Sequence, residues 1–123
     1  AVDISELVIK MSRLPYADAV SEISDMAEQV QQMVRDAAQS FVDRDGDLAK
    51  AVCRADDKVD DLFDVIKKKL TGIVHRDVDV EDNGEQALDM LMVAKYLEKI
   101  GDHASNIAEW VLFMITGEHK KLN

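Results

Sequence analysis

Apolar residues recur along most of this chain at alternating spacings of three and four, the repeat of a helix that buries one face. From Pro15 to Asp43 the stripe is Val20, Ile23, Met26 with Ala27, Val30, Met33 with Val34, Ala37 and Phe41, close to a heptad seam. Pro15 suits the first helical position, where its missing N–H is not needed. Asp45-Gly46 supplies the stop, glycine being the residue that accepts the left-handed C-terminal conformation. A second stripe begins near Asp47, read as the N-cap, and carries Leu48, Val52, Ala55, Val59, Leu62, Ile66, Leu70 and Ile73. Gly72 costs this helix about 1 kcal/mol relative to alanine, so fraying is expected near His75. After a short acidic connection, Asp82-Asn83-Gly84-Glu85 reads as a capping box with aspartate in the serine place. The third stripe is Leu88, Leu91, Met92, Leu97, Ile100, Ala104, Ile107, Val111 and Met114, closed by Gly117. Strand-like alternation appears only in Val78-Asp79-Val80, too brief to compete.

Helices of about 28 to 35 residues span roughly 42–52 Å each. Joined by short connections they must reverse direction twice, so the expected fold is all-α: an elongated antiparallel three-helix bundle over residues 15–118. Residues 1–14 are mildly apolar but too short to stand as a helix alone, and read as a linker or the remnant of a preceding unit. Residues 119–123 read as a tail.

Composition narrows the function. The 123 residues suffice for one core, and 25 acidic against 15 basic residues give a formal charge of −10. That charge argues against nucleic acid and anionic membrane surfaces as partners, and against bare phosphate as a direct ligand; it favours cations. No apolar run approaches the roughly 18 residues of a membrane span, so direct membrane insertion is not expected. Lys67-Lys68-Lys69 reads as a solvated last turn that favours the helix dipole. Cys53 is the only cysteine, which excludes an internal disulfide, and it reads as a small core residue. Met26, Met33, Met90, Met92 and Met114 read as core filler, and Trp110 and Phe113 as core or interface anchors.

Beside the third stripe runs a polar row at four-residue spacing: Glu98, Asp102 and Asn106. The second helix carries a counterpart, Asp56 and Asp60, shadowed by Asp57 and Asp61 with Asp64 one turn on. Residues four apart on a helix are neighbours, and like charges so placed repel by only about 0.2–0.5 kcal/mol, too little to force a cation between them. The rows therefore read either as a solvated acidic face or as an oxygen-only site for a hard or borderline divalent ion such as Mg, Ca, Mn or Fe, less suited to structural zinc. The Glu-x-x-His signature of di-iron bundles is absent, since Gly72, Ile100 and Thr116 stand three before His75, His103 and His119. His103 reads as a ligand or a surface residue. No phosphate loop, nucleophile elbow or Cys/His couple is present, so no catalytic residue is assigned. Gly101, costly in mid-helix, marks close approach by a neighbouring helix or ligand.

The run from Tyr96-Leu97-Glu98-Lys99-Ile100-Gly101-Asp102-His103 to Ala104-Ser105-Asn106-Ile107-Ala108-Glu109 resembles the signature helix of the PhoU family of phosphate-uptake regulators. Asp47-Leu48-Ala49-Lys50, followed by Asp56-Asp57-Lys58-Val59-Asp60, resembles that family's second helix, and the likeness covers about residues 15–118. Members usually hold two such three-helix repeats; here the likeness is to the second, with residues 1–14 as the inter-repeat linker. The resemblance implies a cytoplasmic, non-enzymatic negative regulator. It would link the ATPase subunit of the phosphate ABC transporter to a sensor histidine kinase, with a second copy of the chain as a further candidate partner. It also implies metal on the acidic rows, with Asp56, Asp60, Glu98, Asp102 and Asn106 as the matching ligands and Fe, Mn, Mg, Ca or Zn as the ion. PhoU-like helices also occur as the cytoplasmic domain of sodium-dependent phosphate transporters, and that alternative stays open, as does a redox-active di-metal protein.

Overall fold

The structure, a computed structural model, describes residues 17–76 and 81–117. They form three helices and, among the described residues, no strand: α1 (Ala17–Asp43), α2 (Gly46–Arg76) and α3 (Glu81–Thr116). Each packs against the other two, giving the all-α three-helix bundle that the stripes predict. Contacts fix the directions. Lys69, late in α2, pairs with Glu22, early in α1. Gly46, at the start of α2, lies against Leu112 and Ile115 near the end of α3. The helices thus run up, down and up. The expectations for residues 1–14, for Pro15, for the strand-like Val78–Val80 and for the 119–123 tail lie outside the described residues, as do the side chains of Ile73, His75 and Asp82–Gly84.

The first turn differs from the sequence reading in its chemistry. The left-handed residue is Arg44 (φ 50°), not a glycine. The Asp45 N–H donates to the Ser40 carbonyl at 3.0 Å, the long-range bond of a Schellman end. Asp45 then caps α2, its Oδ1 accepting from the Leu48 N–H at 3.1 Å, so Asp45 and not Asp47 is the N-cap. Gly46 stops nothing: it opens α2. The physical reason is the tightness of a two-residue link, in which one residue must turn left-handed and the next must begin the new helix. Asp45→Ala should cost about 1 kcal/mol, read as a lower urea midpoint at unchanged slope. At the far end Gly117 behaves as expected, at φ 65° with its N–H donating to the Phe113 carbonyl at 2.9 Å.

Gly72 does not break α2, which continues to Arg76, so Lys67–Lys69 sit two turns inside its end and do not form the last turn. α3 already contains Asp82, one residue inside its start at Glu81.

The core is built from Ile23, Met26, Val30 and Met33 of α1, Val52, Val59 and Ile66 of α2, and Met90, Leu97 and Val111 of α3, all buried. Several stripe residues are corrected by the packing. Val34, Phe41, Leu88, Met92, Ile100, Ile107 and Met114 are exposed, and Trp110 is 62% exposed, packed edge-on against Phe113 with ring centroids 5.5 Å apart. In α3 small residues, Ala94, Gly101, Ala104 and Ala108, share the inward face with Met90, Leu97 and Val111. Small residues let the helices approach closely, which turns the bulky neighbours onto the flank. Ser40 is buried without penalty because its hydroxyl donates to the Ala37 carbonyl at 2.8 Å. Cys53 is half-buried, its Sγ 4.0 Å from the Ser105 carbonyl, and burial pushes the thiol up from its ordinary range, which suits packing and not reactivity.

Candidate metal centre

The four-residue spacing of Asp56 and Asp60 places both carboxylates on the edge of α2 that borders α3. Asp102 meets them there. Its neighbour Gly101 lies at the same contact, facing Asp56 and Val59 of α2 and Val30 of α1. A Cβ built on Gly101 would lie 3.5 Å from Asp56 Oδ1, 3.6 Å from Val59 Cγ1 and 3.7 Å from Val30 Cγ2. These are ordinary contact distances, so the missing Cβ leaves a small hollow directly over the Asp56 oxygen. Both other helices face Gly101, but at these distances a methyl group would also fit, so the approach is closer to ordinary packing than the sequence reading of Gly101 implies.

Asp56, Asp60 and Asp102 each offer one oxygen within 4.8 Å of the others. Asp56 is half-buried while Asp60 and Asp102 are exposed, so the group opens to solvent along the α2/α3 flank. Burial, followed by the nearby Asp102 carboxylate, pushes Asp56 up to about 7 from 3.8. Asp60 is raised for the same reasons in the same order, burial before Asp102.

The donor set fits a hard cation. Asp56 Oδ1 is buried and receives no N–H or O–H from elsewhere in the protein, so it faces the Asp102 carboxyl with either a shared proton or a cation to offset the repulsion. A divalent ion takes carboxylate oxygens and fills its remaining positions with water, which the exposed side of this group admits. Asp56, Asp60 and Asp102 are the residues that would hold it, joining α2 to α3.

The other expected ligands are placed differently. Glu98 is not in the three-carboxylate group; its Oε1 accepts from Lys95 Nζ at 2.6 Å. Asn106 is exposed one turn beyond Asp102. His103 is exposed and outside the group, as are Asp57, Asp61 and Asp64. The sequence reading missed Lys95 altogether. Its ammonium also lies 5.2 Å from the centroid of the Phe63 ring on α2, so it bridges the helices beside the aspartates. The signal was present in Lys95-x-x-Glu98, since residues three apart on a helix also meet.

Residues 23–111 match the PhoU domain. The chain is 36% identical over 123 residues to a phosphate-specific transport system accessory protein PhoU homolog of Clostridium acetobutylicum, covering 100% of this chain and 55% of that one. It is 33% identical over 120 residues to the protein of the same description from Synechocystis, covering 98% of this chain and 52% of that one. It is 35% identical over 105 residues to the PhoU homolog 1 of Thermotoga maritima, covering 85% of this chain and 44% of that one. The chain thus spans about half the length of the curated relatives it matches. No solved structure matches it.

Proposed function

The chain belongs to the PhoU domain family, and on that footing we propose that it serves phosphate uptake as a non-enzymatic, metal-binding regulator. It restrains the phosphate-starvation response by linking the ATPase subunit of a phosphate ABC transporter to a sensor histidine kinase in the cytoplasm. The family's relatives are described as accessory proteins of phosphate-specific transport systems, which supports the phosphate assignment. Among the described residues no helix is long and apolar enough to cross a membrane, which suits a peripheral partner of a transporter.

The observation that carries the metal part of the reading is the buried Asp56 Oδ1, which meets no donor group and faces two further carboxylates in an all-oxygen group. A bound cation supplies charge neutralisation and a rigid tie between two helices. Asp56 contributes the inner oxygen, Asp60 and Asp102 the outer ones, and Glu98 and Asn106 stand one turn to either side of Asp102 as further donors. Neutralising this flank changes the surface that a partner meets, which gives the regulator two electrostatic states.

Calorimetric titration with Mn²⁺ tests the site. Wild type should bind, and Asp60→Asn combined with Asp102→Asn should abolish binding while the far-ultraviolet spectrum stays helical. Unchanged affinity in the double variant would mean the rows are merely solvated. The partner assignment is tested by co-purification of the full chain with the transporter ATPase and with the kinase; binding to neither would overturn it.

A further inference from the structure

Four acidic residues line the α2/α3 flank within reach of one another in sequence register, yet only three of them converge. The one held back, Glu98, is the one already engaged by a cation of the protein's own. Lys95 Nζ donates to Glu98 Oε1 at 2.6 Å. The same ammonium is seated over the Phe63 ring, 5.2 Å from its centroid. Phe63 is part of α2, three residues after Asp60, and it packs against the core. Lys95 is therefore located from two sides, by a carboxylate on its own helix and by a ring on the next.

The order along the flank is telling. Because α2 and α3 run antiparallel, Asp56, Asp60 and Phe63 follow one another along α2 while Asp102, Glu98 and Lys95 follow along α3, with Lys95 over Phe63. Lys95 closes the acidic row at its end. An ordinary exposed pair leaves both side chains in water, but the Glu98 side chain is only 14% exposed while that of Lys95 is 53% exposed. The carboxylate is thus tucked against the bundle and the ammonium caps it from the solvent side, reachable and displaceable. Lys95 also feels the charges of Asp102 and Asp60, so it sits in the field that would attract a divalent ion.

We propose that Lys95 is the resident counter-cation of this flank: it holds Glu98 off the three aspartates and gives it up when a divalent cation binds there. This rests on the metal-binding reading above. Lys95 then sets the affinity of the site without being a ligand. It competes twice, by placing a positive charge beside the site and by occupying an oxygen donor the ion could use. Loss of either anchor, Glu98 or Phe63, loosens it.

Mn²⁺ titration of the full chain and of Lys95→Met, which keeps an unbranched stem and removes the charge, provides the test. Lys95→Met should bind roughly tenfold more tightly than wild type, with the difference shrinking as monovalent salt screens the charge in wild type. Adding Glu98→Gln to Lys95→Met should remove most of that gain. A second readout is acylation of lysines by an amine-reactive ester, followed by mass spectrometry. Mn²⁺ should raise the labelling of Lys95 several-fold and leave Lys50 and Lys99, both exposed, unchanged. Equal Mn²⁺ affinity in wild type and Lys95→Met, or Lys95 labelling indifferent to Mn²⁺, would overturn the proposal and leave the metal site standing. A gain that survives Glu98→Gln would overturn the part that assigns Glu98 to Lys95. Absence of Mn²⁺ binding in wild type and in Lys95→Met alike would overturn the metal reading and this proposal together.

Discussion

Leu97→Ala should destabilise the bundle by about 2–4 kcal/mol, whereas Ile100→Ala, three residues away, should cost under about 1 kcal/mol. Both residues sit on the apolar stripe of α3 and look equivalent in sequence. In the structure Leu97 is 2% exposed and Ile100 36% exposed. Removing three carbons from a closed position forfeits their transfer free energy and leaves a cavity that the rigid backbone cannot fill. At Ile100 the space opens to solvent, so no cavity persists and only a partly exposed surface is lost. Urea unfolding of the two variants measures the contrast. Equal losses would mean that the stripe read from sequence gives the true inward face. A reversed order would mean that α3 is rotated so that Ile100 and not Leu97 faces the core.

Asp56→Asn should have opposite effects with and without metal. In a chelator at pH 8 the variant should be more stable than wild type by about 1–2 kcal/mol after allowance for solvent screening. Wild type then carries a carboxylate that burial and Asp102 both disfavour in its charged form, having pushed it up to about 7. The direction with pH follows. Well below pH 3.8 the folded and unfolded chains are equally protonated at this residue and no stability is lost. As pH rises toward 7 the unfolded chain releases its proton first, so this contribution to stability falls through that window and stays low above it. Melting of metal-free wild type should therefore occur roughly 3–8 °C lower at pH 8 than at pH 5 on account of Asp56, and Asp56→Asn should flatten that part of the profile. Mn²⁺ should reverse the order. Wild type at a hundredfold excess over Kd gains about 2.7 kcal/mol from binding, while the variant, missing its inner oxygen, gains little. Scanning calorimetry at the two pH values, with chelator and with Mn²⁺, reads all four cases. Parallel wild-type and Asp56→Asn profiles between pH 5 and pH 8 in chelator would contradict the charge assignment.

Much of this molecule is legible in one helical period. The three helices and the all-α fold follow from apolar spacing, the stop at Gly117 from glycine's tolerance of positive φ, and the acidic rows from four-residue spacing. Each depends on a single helix and its local geometry, which the order of residues along it already contains. The PhoU resemblance, carried by the runs around Gly101 and Val59, is likewise a property of the sequence, and the match over residues 23–111 agrees with it.

What the sequence left open depends on more than one helix. A stripe fixes that a helix has an inward face but fixes its rotation only to within a residue or so. The rotation of α3 was decided by which arrangement lets Ala94, Gly101, Ala104 and Ala108 meet α1 and α2, and that moved Ile100, Ile107 and Met114 outward. The turn was decided by a link too short for the glycine to serve it, so Arg44 took the left-handed conformation and Asp45 the cap. The row Glu98, Asp102 and Asn106 was plain in the sequence, but not that Asp102 alone would join Asp56 and Asp60 while Lys95 claimed Glu98. Intrahelical spacing sets which residues share a face. Only the register and closeness of neighbouring helices set which carboxylates meet across the gap.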